Sequence, residues 1–302
     1  MSREIKFSYS VINITTHPNS AKKYYDLFVN AIPEAMDVKN RYLDVDNISL
    51  EIEGIHTNNS HINSDYDPKR KLVVEYIFGT IVKCIGSKDR KKRIDRKMLD
   101  FGFDFDADLF CQNVSKFPFV FFPHGHRMFF VRKHKGKNIS TARLVKTLKN
   151  LFNKYDYYDT YDDVEVNLET DISGIQAMLS IHRLDRLQIS VSLPNGDDLE
   201  AEEEEWLNSM REQRIAKITE DLKGHKNRTI LPDKRTRALM GLAQSNGEII
   251  AHGLHEGENV VWKNSDFPVD FQDKYNPEYS ILKKLIDNGI ANLSLFTKRQ
   301  RR

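Results

Sequence analysis

The strongest constraint on the fold of this chain is a hairpin signal in its middle. Two runs rich in aromatic and branched residues, 117–122 and 126–133, flank the stretch PHG at residues 123–125. Such runs favour extended strands, and a glycine between them favours a tight turn. The pattern therefore predicts a pair of antiparallel strands on which a larger sheet can be built.

Other segments extend this prediction to a fold that contains both strands and helices. Apolar residues alternate with polar ones in several short runs, which is typical of half-buried strands, and serines suited to N-capping precede two segments with helical spacing. We therefore expect an α+β fold, with a mixed, largely antiparallel sheet and helices packed on it. The predicted strands are residues 7–14, 48–53, 72–82, 164–169, 187–193 and 260–262, and the predicted helices follow Ser20 and Ser140 and cover residues 175–181.

Two segments interrupt this alternation. Residues 58–67 are polar and predict a loop. Residues 87–116 contain the basic run KDRKKRIDRK at positions 88–97, followed by an acidic and aromatic stretch. We interpret residues 87–116 as an excursion from the sheet that is partly helix and partly loop.

Sequence patterns near the end of the chain predict a second hairpin and a last helix. The stretch SNG at residues 245–247 is a turn signal between apolar runs at 238–243 and 249–253, and so predicts a second hairpin. Asparagine followed by proline at residues 276–277 predicts the start of the last helix, because proline suits the first helical position. In that helix Tyr279 is expected to face the core.

The domain organisation is predicted from the charged segment between these regions. Residues 199–222 have a narrow apolar stripe at helical spacing, and a long helix of this kind often bridges domains or packs in a dimer. We therefore predict three parts. They are an N-terminal α+β body at residues 1–195, a charged helical connector at 196–230 and a small C-terminal α/β domain at 231–302.

The composition indicates a globular protein with a highly charged surface: 302 residues, 39% hydrophobic and 30% charged. No apolar run approaches the roughly 20 residues that a membrane span needs, and the N-terminus leads into a predicted strand rather than a signal peptide. Cys84 and Cys111 are too few for a disulfide framework. We expect a cytoplasmic protein without direct membrane insertion.

The net charge of +2 conceals a strong segregation of charge. Residues 88–97 and 298–302 are basic, whereas the stretch DDLEAEEEE at residues 197–205 is acidic. Separated blocks of this kind favour local patches that bind partners, although a solvated surface is the competing interpretation for each run.

The histidines at the predicted hairpin turn raise the question of a metal or catalytic site. His124 and His126 are close in sequence, but a structural zinc site usually needs four ligands, and the cysteines are not spaced to supply them. The chain has no nucleophile motif, phosphate loop or dinucleotide fingerprint, and Asp104 and its neighbours lack the rest of a calcium loop. We therefore expect no metal, no cofactor, no catalytic residue and no enzymatic activity.

Clustered lysines and arginines favour nucleic-acid binding instead. Such arrays pair with phosphates and release counterions, which gives affinity without sequence readout. No helix-turn-helix, zinc-finger or aromatic RNA-binding motif supplies readout of bases, and the helix N-terminus after Ser140 also suits a phosphate. The predicted nucleic-acid-binding residues are Lys88, Arg90, Lys91, Lys92, Arg93, Arg96, Lys97, Arg132, Lys133, Lys135, Lys137, Arg143, Lys146 and Lys149.

Three segments resemble a bacterial family of unknown function found in prophages and defence islands. They are SVINITTHPNS at residues 10–20, FPFVFFPHGHRMFF at 117–130 and RLDRLQISVSLPNGDD at 183–198. From about residue 117 the order of elements is also similar to that of the RexA phage-exclusion proteins of phage lambda, and more distantly to the Kiwa defence protein KwaB. This resemblance implies a homodimer that binds DNA without strong sequence preference, beside a membrane-protein partner encoded nearby.

Together these observations predict a sequence-nonspecific binder of double-stranded DNA in anti-phage defence or phage exclusion. Two alternatives stay open at this point. One is a metal-dependent nuclease or phosphodiesterase that uses His124, His126 and scattered carboxylates. The other is a protein-interaction subunit of a multi-gene defence system, in which the acidic segment binds a partner and the basic residues only solvate the surface.

Overall fold

Antiparallel strands make up the frame of the molecule. The structure is a computed structural model that describes residues 4–17, 20–28, 48–56, 63–67, 72–86, 111–153, 162–193 and 201–296. Within these ranges every strand pairing is antiparallel, and helices pack on the sheets. The predicted α+β fold is therefore confirmed.

The elements of the described ranges are numbered in chain order. The strands are β1 (Ile5–His17), β2 (Ile48–His56), β3 (Asn63–Asp67), β4 (Leu72–Gly86), β5 (Cys111–Phe122), β6 (Arg127–His134), β7 (Lys137–Asn138), β8 (Asp162–Leu168), β9 (Arg183–Ser192), β10 (Lys217–Lys223), β11 (Gly247–His255), β12 (Glu258–Lys263) and β13 (Asp270–Tyr275). The helices are α1 (Ala21–Asp26), α2 (Thr141–Asn153), α3 (Ile172–Leu179), α4 (Ala201–Glu212), α5 (Lys234–Asn246) and α6 (Ile281–Asn292).

The strands form two sheets. The first is a nine-stranded sheet in the order β13-β1-β6-β5-β4-β2, with β3 paired to β4, β7 to β6 and β8 to β1. The second is four-stranded, in the order β10-β9-β11-β12. Strand β13 pairs with β1 from the other end of the chain, so that Tyr275 lies opposite Ile5.

Most of the predicted elements are confirmed. The predicted hairpin is β5 and β6, joined by a 3-10 turn at Pro123–Gly125. Ser20 caps α1 by accepting a hydrogen bond from the backbone N–H of Lys23 at 3.1 Å. The other predicted strands coincide with β1, β2, β4, β8, β9 and β12, and the predicted helix at residues 175–181 overlaps α3.

Aromatic side chains cover both faces of the first sheet. Phe121 of β5 stacks on Phe28, just after α1, with ring centroids 4.7 Å apart. Its neighbour Phe122 points to the other face, where it meets Phe129 of β6 edge-to-face at 5.6 Å. Helix α6 packs on this face through Gly289, at which an added Cβ would lie 2.5 Å from the Phe122 ring. Glycine at this position therefore permits the close approach of helix and sheet.

The second sheet buries one face against helices. Leu187, Ile189 and Val191 of β9 are buried in a cluster that includes Leu239 of α5. Residues that alternate with them, such as Gln188, are only half-buried. This alternation is the strand period that the sequence of β9 displays.

A buried polar seam joins the first sheet to α5. Nε of Arg127, at the start of β6, lies 2.7 Å from Oε1 of Glu169, and both side chains are almost fully buried. Arg127 also donates to the side-chain oxygen of Asn13 at 2.8 Å, and the Ser245 hydroxyl donates to Oε2 of Glu169 at 2.8 Å. Asn13 in turn donates to the side chain of Asn246 at 3.0 Å. The buried polar seam consists of Asn13, Arg127, Glu169, Ser245 and Asn246.

The charges of the buried polar seam are matched inside the protein. Burial raises the pKa of the Glu169 carboxyl, while the Arg127 guanidinium and the Ser245 hydroxyl act in the opposite direction. Removing one member of a buried pair leaves the other charge without a partner, which is strongly destabilising. We therefore expect this seam to fix the position of α5 on the first sheet.

The predicted long helix at residues 199–222 is wrong. The structure has helix α4 and then strand β10, which pairs with β9 along its whole length. Ile218 and Leu222 are four residues apart, a spacing that suits one face of a helix and equally one face of a strand. Along β10 exposed and half-buried residues alternate strictly, so the strand period prevails.

The predicted hairpin around residues 245–247 is also wrong. Residues 238–243 lie within α5, and Gly247 starts β11 directly after that helix. Leu239, Leu242 and Ala243 are buried, which is the helical spacing of a face that packs on β9. Tertiary packing therefore overrides the local turn signal.

Three predicted boundaries also shift. The last helix begins after Ser280, whose hydroxyl accepts from the backbone N–H of Leu282 at 3.2 Å, instead of at Asn276. Tyr279 precedes that helix and is 71% exposed, so it does not face the core. The predicted loop at residues 58–67 includes β3, and the predicted excursion at 87–116 ends inside β5, with residues 87–110 outside the described ranges.

The predicted division into three parts at residues 195 and 230 stays a prediction. Strand pairing crosses both limits, because β9 pairs with β10 and β11, and β13 pairs with β1. Residues of the predicted connector form α4 and β10 instead of one helix. None of the helices in the described ranges is long and apolar enough to cross a membrane.

Candidate nucleic-acid interface

The turn between β6 and β7 presents lysines to solvent. His134 and Lys137 pair across the turn, and Lys135 and Gly136 between them have positive φ angles of 47° and 75°. This is the backbone of a two-residue hairpin turn, for which glycine is suited. Lys133, Lys135 and Lys137 are all exposed. A tight turn thus holds several cations on a short, hydrogen-bonded hairpin.

A lysine from a distant strand joins this turn. Lys83 of β4 donates from Nζ to the backbone oxygen of Asn138 at 2.8 Å. Burial lowers the pKa of the Lys83 ammonium, and the positive charges of Arg143 and Lys137 lower it further. These cations therefore lie close enough to repel one another. We call the following residues the basic ridge: Lys83, Lys133, Lys135, Lys137, Arg143 and Lys146.

Helix α2 continues the basic ridge away from the turn. It begins at Thr141, just after β7, and the Ser140 hydroxyl accepts from the backbone N–H of Arg143 at 3.4 Å. Leu144 and Leu148 are buried and form the inner face of the helix. Arg143 is half-buried and Lys146 is exposed, on the side away from those leucines. The predicted cap and the predicted inner face are both confirmed.

The exposed lysines of the basic ridge have no carboxylate as an ion-pair partner in the described ranges. Within the described ranges, no carboxylate lies within ion-pair distance of Lys146 or of the lysines at the turn. Arg132 differs, because its guanidinium forms two hydrogen bonds with Asp270, of which Nε to Oδ1 is 3.0 Å. The charge of Arg132 is therefore compensated by β13, although it is one of the predicted binding residues.

The other predicted cations do not join the basic ridge in the described structure. Lys149 lines a separate groove of about 260 Å³, together with Lys217, Glu165 and Glu248, so the charges of these four residues balance. The predicted residues of the basic run lie outside the described ranges; they are Lys88, Arg90, Lys91, Lys92, Arg93, Arg96 and Lys97.

A cavity of about 880 Å³ opens beside the turn, where β1, β6, β7, β13 and α6 meet. We call it the lysine cavity, after the residues Lys6, Lys133, Lys135, Lys137, Lys274 and Lys284 in its lining. His134 also lies in the lining, and its Nε2 is 2.8 Å from the hydroxyl oxygen of Tyr275. Burial lowers the pKa of His134, and the charge of Lys135 lowers it further.

Sequence reasoning did not identify several of these cations. Lys6, Lys83, Lys274 and Lys284 come from different elements and are far from the turn in sequence. No local motif marks them, since none belongs to a basic run of the kind found at residues 88–97. The strand order, which places β13 next to β1 and β1 next to β6, brings Lys6 and Lys274 to the lysine cavity, and helix α6 brings Lys284.

The two histidines at the hairpin turn contact different neighbours. His126 is 3% exposed, and its Nδ1 lies 2.8 Å from the hydroxyl oxygen of Tyr24. His124 is exposed, and its Nε2 lies 3.1 Å from Oε2 of Glu75. Among the residues that the structure describes, no three potential ligands come together for a metal ion. His126 therefore packs inside the protein against Tyr24, whereas His124 makes a surface contact with Glu75.

Comparison with known proteins identifies the family of the chain. No curated protein matches it. A family model described as a domain of unknown function, DUF4747, matches residues 5–289 and thus spans both sheets, the basic ridge and the buried polar seam. The chain therefore belongs to the DUF4747 family.

Proposed function

We propose that the protein binds double-stranded DNA without sequence preference, through contacts between the basic ridge and phosphates. The observation that carries this proposal is the grouping of the exposed Lys133, Lys135 and Lys137 on one tight turn, beside which Nζ of Lys83 lies 2.8 Å from the backbone oxygen of Asn138. Cations that repel one another in the free protein gain stability when an anion lies between them. A polyphosphate backbone supplies such anions at regular spacing.

The shape of the basic ridge favours binding to the backbone over readout of bases. Its cations lie on β4, on the short β6–β7 hairpin and on the first turns of α2, and we expect them to contact phosphates along one side of a duplex. Phosphate contacts position a protein on DNA but carry no sequence information directly. Lysine also acts as a compact point charge, whereas base readout more often uses the paired donors of arginine.

The proposed biological role rests on the resemblance to RexA-like proteins and, more distantly, to KwaB. It is anti-phage defence or phage exclusion by a cytoplasmic homodimer beside a membrane-protein partner. Within this role, binding without sequence preference suits a protein that must act on DNA of any origin. Co-purification of this chain with the product of a neighbouring gene for a membrane protein would test that partner.

The duplex-binding proposal is tested by fluorescence anisotropy with several duplexes of unrelated sequence. We expect similar affinities for all of them, and a log–log dependence on salt with a slope of about 0.9 per phosphate contacted. The triple variant Lys133→Gln, Lys135→Gln, Lys137→Gln should lower the affinity for every duplex and flatten the slope. An interaction that is insensitive to salt would contradict the proposal.

A charge-matched control separates the basic ridge from general electrostatic attraction. Lys223 at the end of β10, and Lys226 and Arg228 in the segment that follows it, are exposed residues next to the second sheet. Changing these three to Gln alters the net charge as much as the triple variant does, but should reduce duplex binding far less. Reversing Lys91, Lys92 and Arg93 to Glu measures the contribution of the basic run in the same assay.

A further inference from the structure

The lysine cavity has the size of a binding site for a small group. It is open to solvent along one side, and its volume of about 880 Å³ admits a charged group together with part of the molecule that carries it. The cavity lies on one side of the β6–β7 turn, and the turn lysines belong to both the cavity and the basic ridge. An anion in the cavity can therefore be continuous with a nucleic acid held on the ridge.

The charges in the lining leave an excess of lysines. Each carboxylate of the lining already has a cation as partner, in the ion pairs Glu4–Lys274, Asp270–Arg132 and Asp273–Lys284. The lining residues without a carboxylate partner in the described part of the chain are Lys6, Lys133, Lys135 and Lys137. A ligand that matches this cavity therefore carries more than one negative charge.

Two polar groups of the lining add to the case for a ligand. Ser8 is 5% exposed, and its hydroxyl has no hydrogen-bond partner among the described residues. A buried hydroxyl without a hydrogen-bond partner is unfavourable, and rotation of the Ser8 side chain toward the cavity would let a ligand supply the missing hydrogen bond. The ring of His134 also lies in the lining, fixed by Tyr275 through Nε2.

A phosphate at the end of a strand fits this cavity better than one within a duplex. Phosphates along a duplex carry one negative charge each, so a single one of them matches the excess of lysines in the lining less well. A phosphate monoester carries about −1.5 to −2 at neutral pH and three acceptor oxygens. It also projects from the strand end, so it can enter a concave site.

We infer that the lysine cavity binds a phosphate monoester, namely the terminal phosphate of a DNA strand. This inference rests on the proposed duplex binding for the identity of the ligand. In the bound state the phosphate oxygens contact Lys6 and the lysines at the turn, while the adjoining duplex lies on the basic ridge. A free nucleoside monophosphate also carries a phosphate monoester, so it is the second kind of ligand that could supply this group to the cavity.

The test compares three forms of one duplex by fluorescence anisotropy: with 5′-phosphate ends, with 5′-hydroxyl ends, and closed into a dumbbell that has no ends. We expect the phosphorylated duplex to bind about tenfold more tightly than the hydroxyl form, the effect of one added charge-assisted hydrogen bond. Adenosine 5′-monophosphate, titrated by calorimetry and as a competitor, tests the free nucleotide.

Three variants assign the effect to the cavity. Lys6→Gln alters the lysine cavity alone and should remove the difference between the phosphate and hydroxyl duplexes. Lys146→Gln alters only the basic ridge and should weaken all three forms alike, leaving their ratio intact. Ser8→Ala should reduce the preference for phosphate without lowering protein stability, since its hydroxyl bonds no other described residue.

The outcomes distinguish this inference from the proposed duplex binding. If the dumbbell binds, the two linear duplexes bind alike and adenosine 5′-monophosphate does not bind, the inference is overturned and duplex binding stands. If the phosphorylated duplex binds and the dumbbell does not, the lysine cavity stands and duplex binding by the ridge fails. Binding of adenosine 5′-monophosphate that Lys6→Gln abolishes, without any preference between duplexes, assigns the cavity to free nucleotides.

Discussion

The two ends of β6 use positive charge in opposite ways. At its start Arg127 is 2% exposed and lies against Glu169 in the buried polar seam. At its end Lys133 is exposed, and the β6–β7 turn adds Lys135 and Lys137. One strand thus carries a cation that the protein matches internally and others that the described residues leave unmatched.

The difference separates a structural role from a binding role. A buried charge is tolerated only when partners surround it, and Arg127 has Glu169, Asn13 and the backbone oxygen of Gly125. An exposed lysine needs no partner, because water solvates it, and so it stays available for a ligand. The number of positive charges alone would not have shown which end of β6 could bind an anion.

Removing the matched carboxylate should have the largest effect on stability. The variant Glu169→Ala leaves the Arg127 guanidinium buried without a counter-charge, and the free energy of unfolding should fall by about 3–5 kcal/mol. Unfolding in urea, followed by circular dichroism, measures this change. The loss should exceed that of any single exposed lysine.

A paired replacement provides the control for Glu169→Ala. When Arg127→Met is combined with Glu169→Leu, both charges are removed, and apolar side chains fill part of the space. Stability should then recover much of the loss, because no unpaired charge remains. If the double variant were as unstable as Glu169→Ala, packing around Glu169 would matter more than its charge.

The sequence predicted the strands around β6 well because their patterns are local. The aromatic runs of β5 and β6, and the alternation of Leu187, Ile189 and Val191 in β9, each determine which face is buried. Residues 199–222 were predicted wrongly, since Ile218 and Leu222 fit either period. The pairing of β10 with β9 that settles this region is a long-range contact.

The candidate site was predictable only in part. The exposed lysines of the turn and the capped helix after Ser140 could be read from the chain. The match between Arg132 and Asp270 could not, because it depends on β13 lying next to β1. The position of Lys83 beside the turn could not be predicted from the sequence either. It depends on β4 lying next to β5 in the sheet, a long-range contact.

The half-buried ion pair between Arg132 and Asp270 tests an intermediate case between the two ends of β6. Arg132 and Asp270 are about a fifth exposed, at 21% and 24%, so that water screens their attraction in part. Arg132→Ala should therefore lower the free energy of unfolding by no more than about 1 kcal/mol. Asp270→Ala should cost a similar amount, and the double variant no more than either single one. If Arg132→Ala lowered the free energy of unfolding as much as Glu169→Ala does, the Arg132–Asp270 pair would contribute to stability like the buried polar seam.

Neutralising the exposed lysines should change stability less than any of these variants. The triple variant Lys133→Gln, Lys135→Gln, Lys137→Gln removes charges that have no carboxylate partner in the described ranges. Its free energy of unfolding should stay within about 0.5 kcal/mol of the unmodified protein, or rise because repulsion with Lys83 is relieved. A large loss of stability would show that the turn lysines have a structural role, and would undermine their use as a binding test.

The smallest expected effect is a dependence of stability on pH that comes from His134. Burial, and then the charge of Lys135, lower the pKa of His134 below its ordinary value of 6.5. Between the lowered and the ordinary pKa the unfolded chain binds more protons than the native state, so the free energy of unfolding falls as the pH decreases through this range.

This dependence is measured by urea unfolding at several values from about pH 8 to about pH 5, the range in which histidine titrates. The unmodified protein should lose more stability across the range than His134→Gln does, because the variant has no imidazole to protonate. Lys135→Gln should give an intermediate loss, since it removes the second cause of the lowered pKa but not the first. Equal losses in the unmodified protein and His134→Gln would mean that His134 is not held neutral at the end of β6.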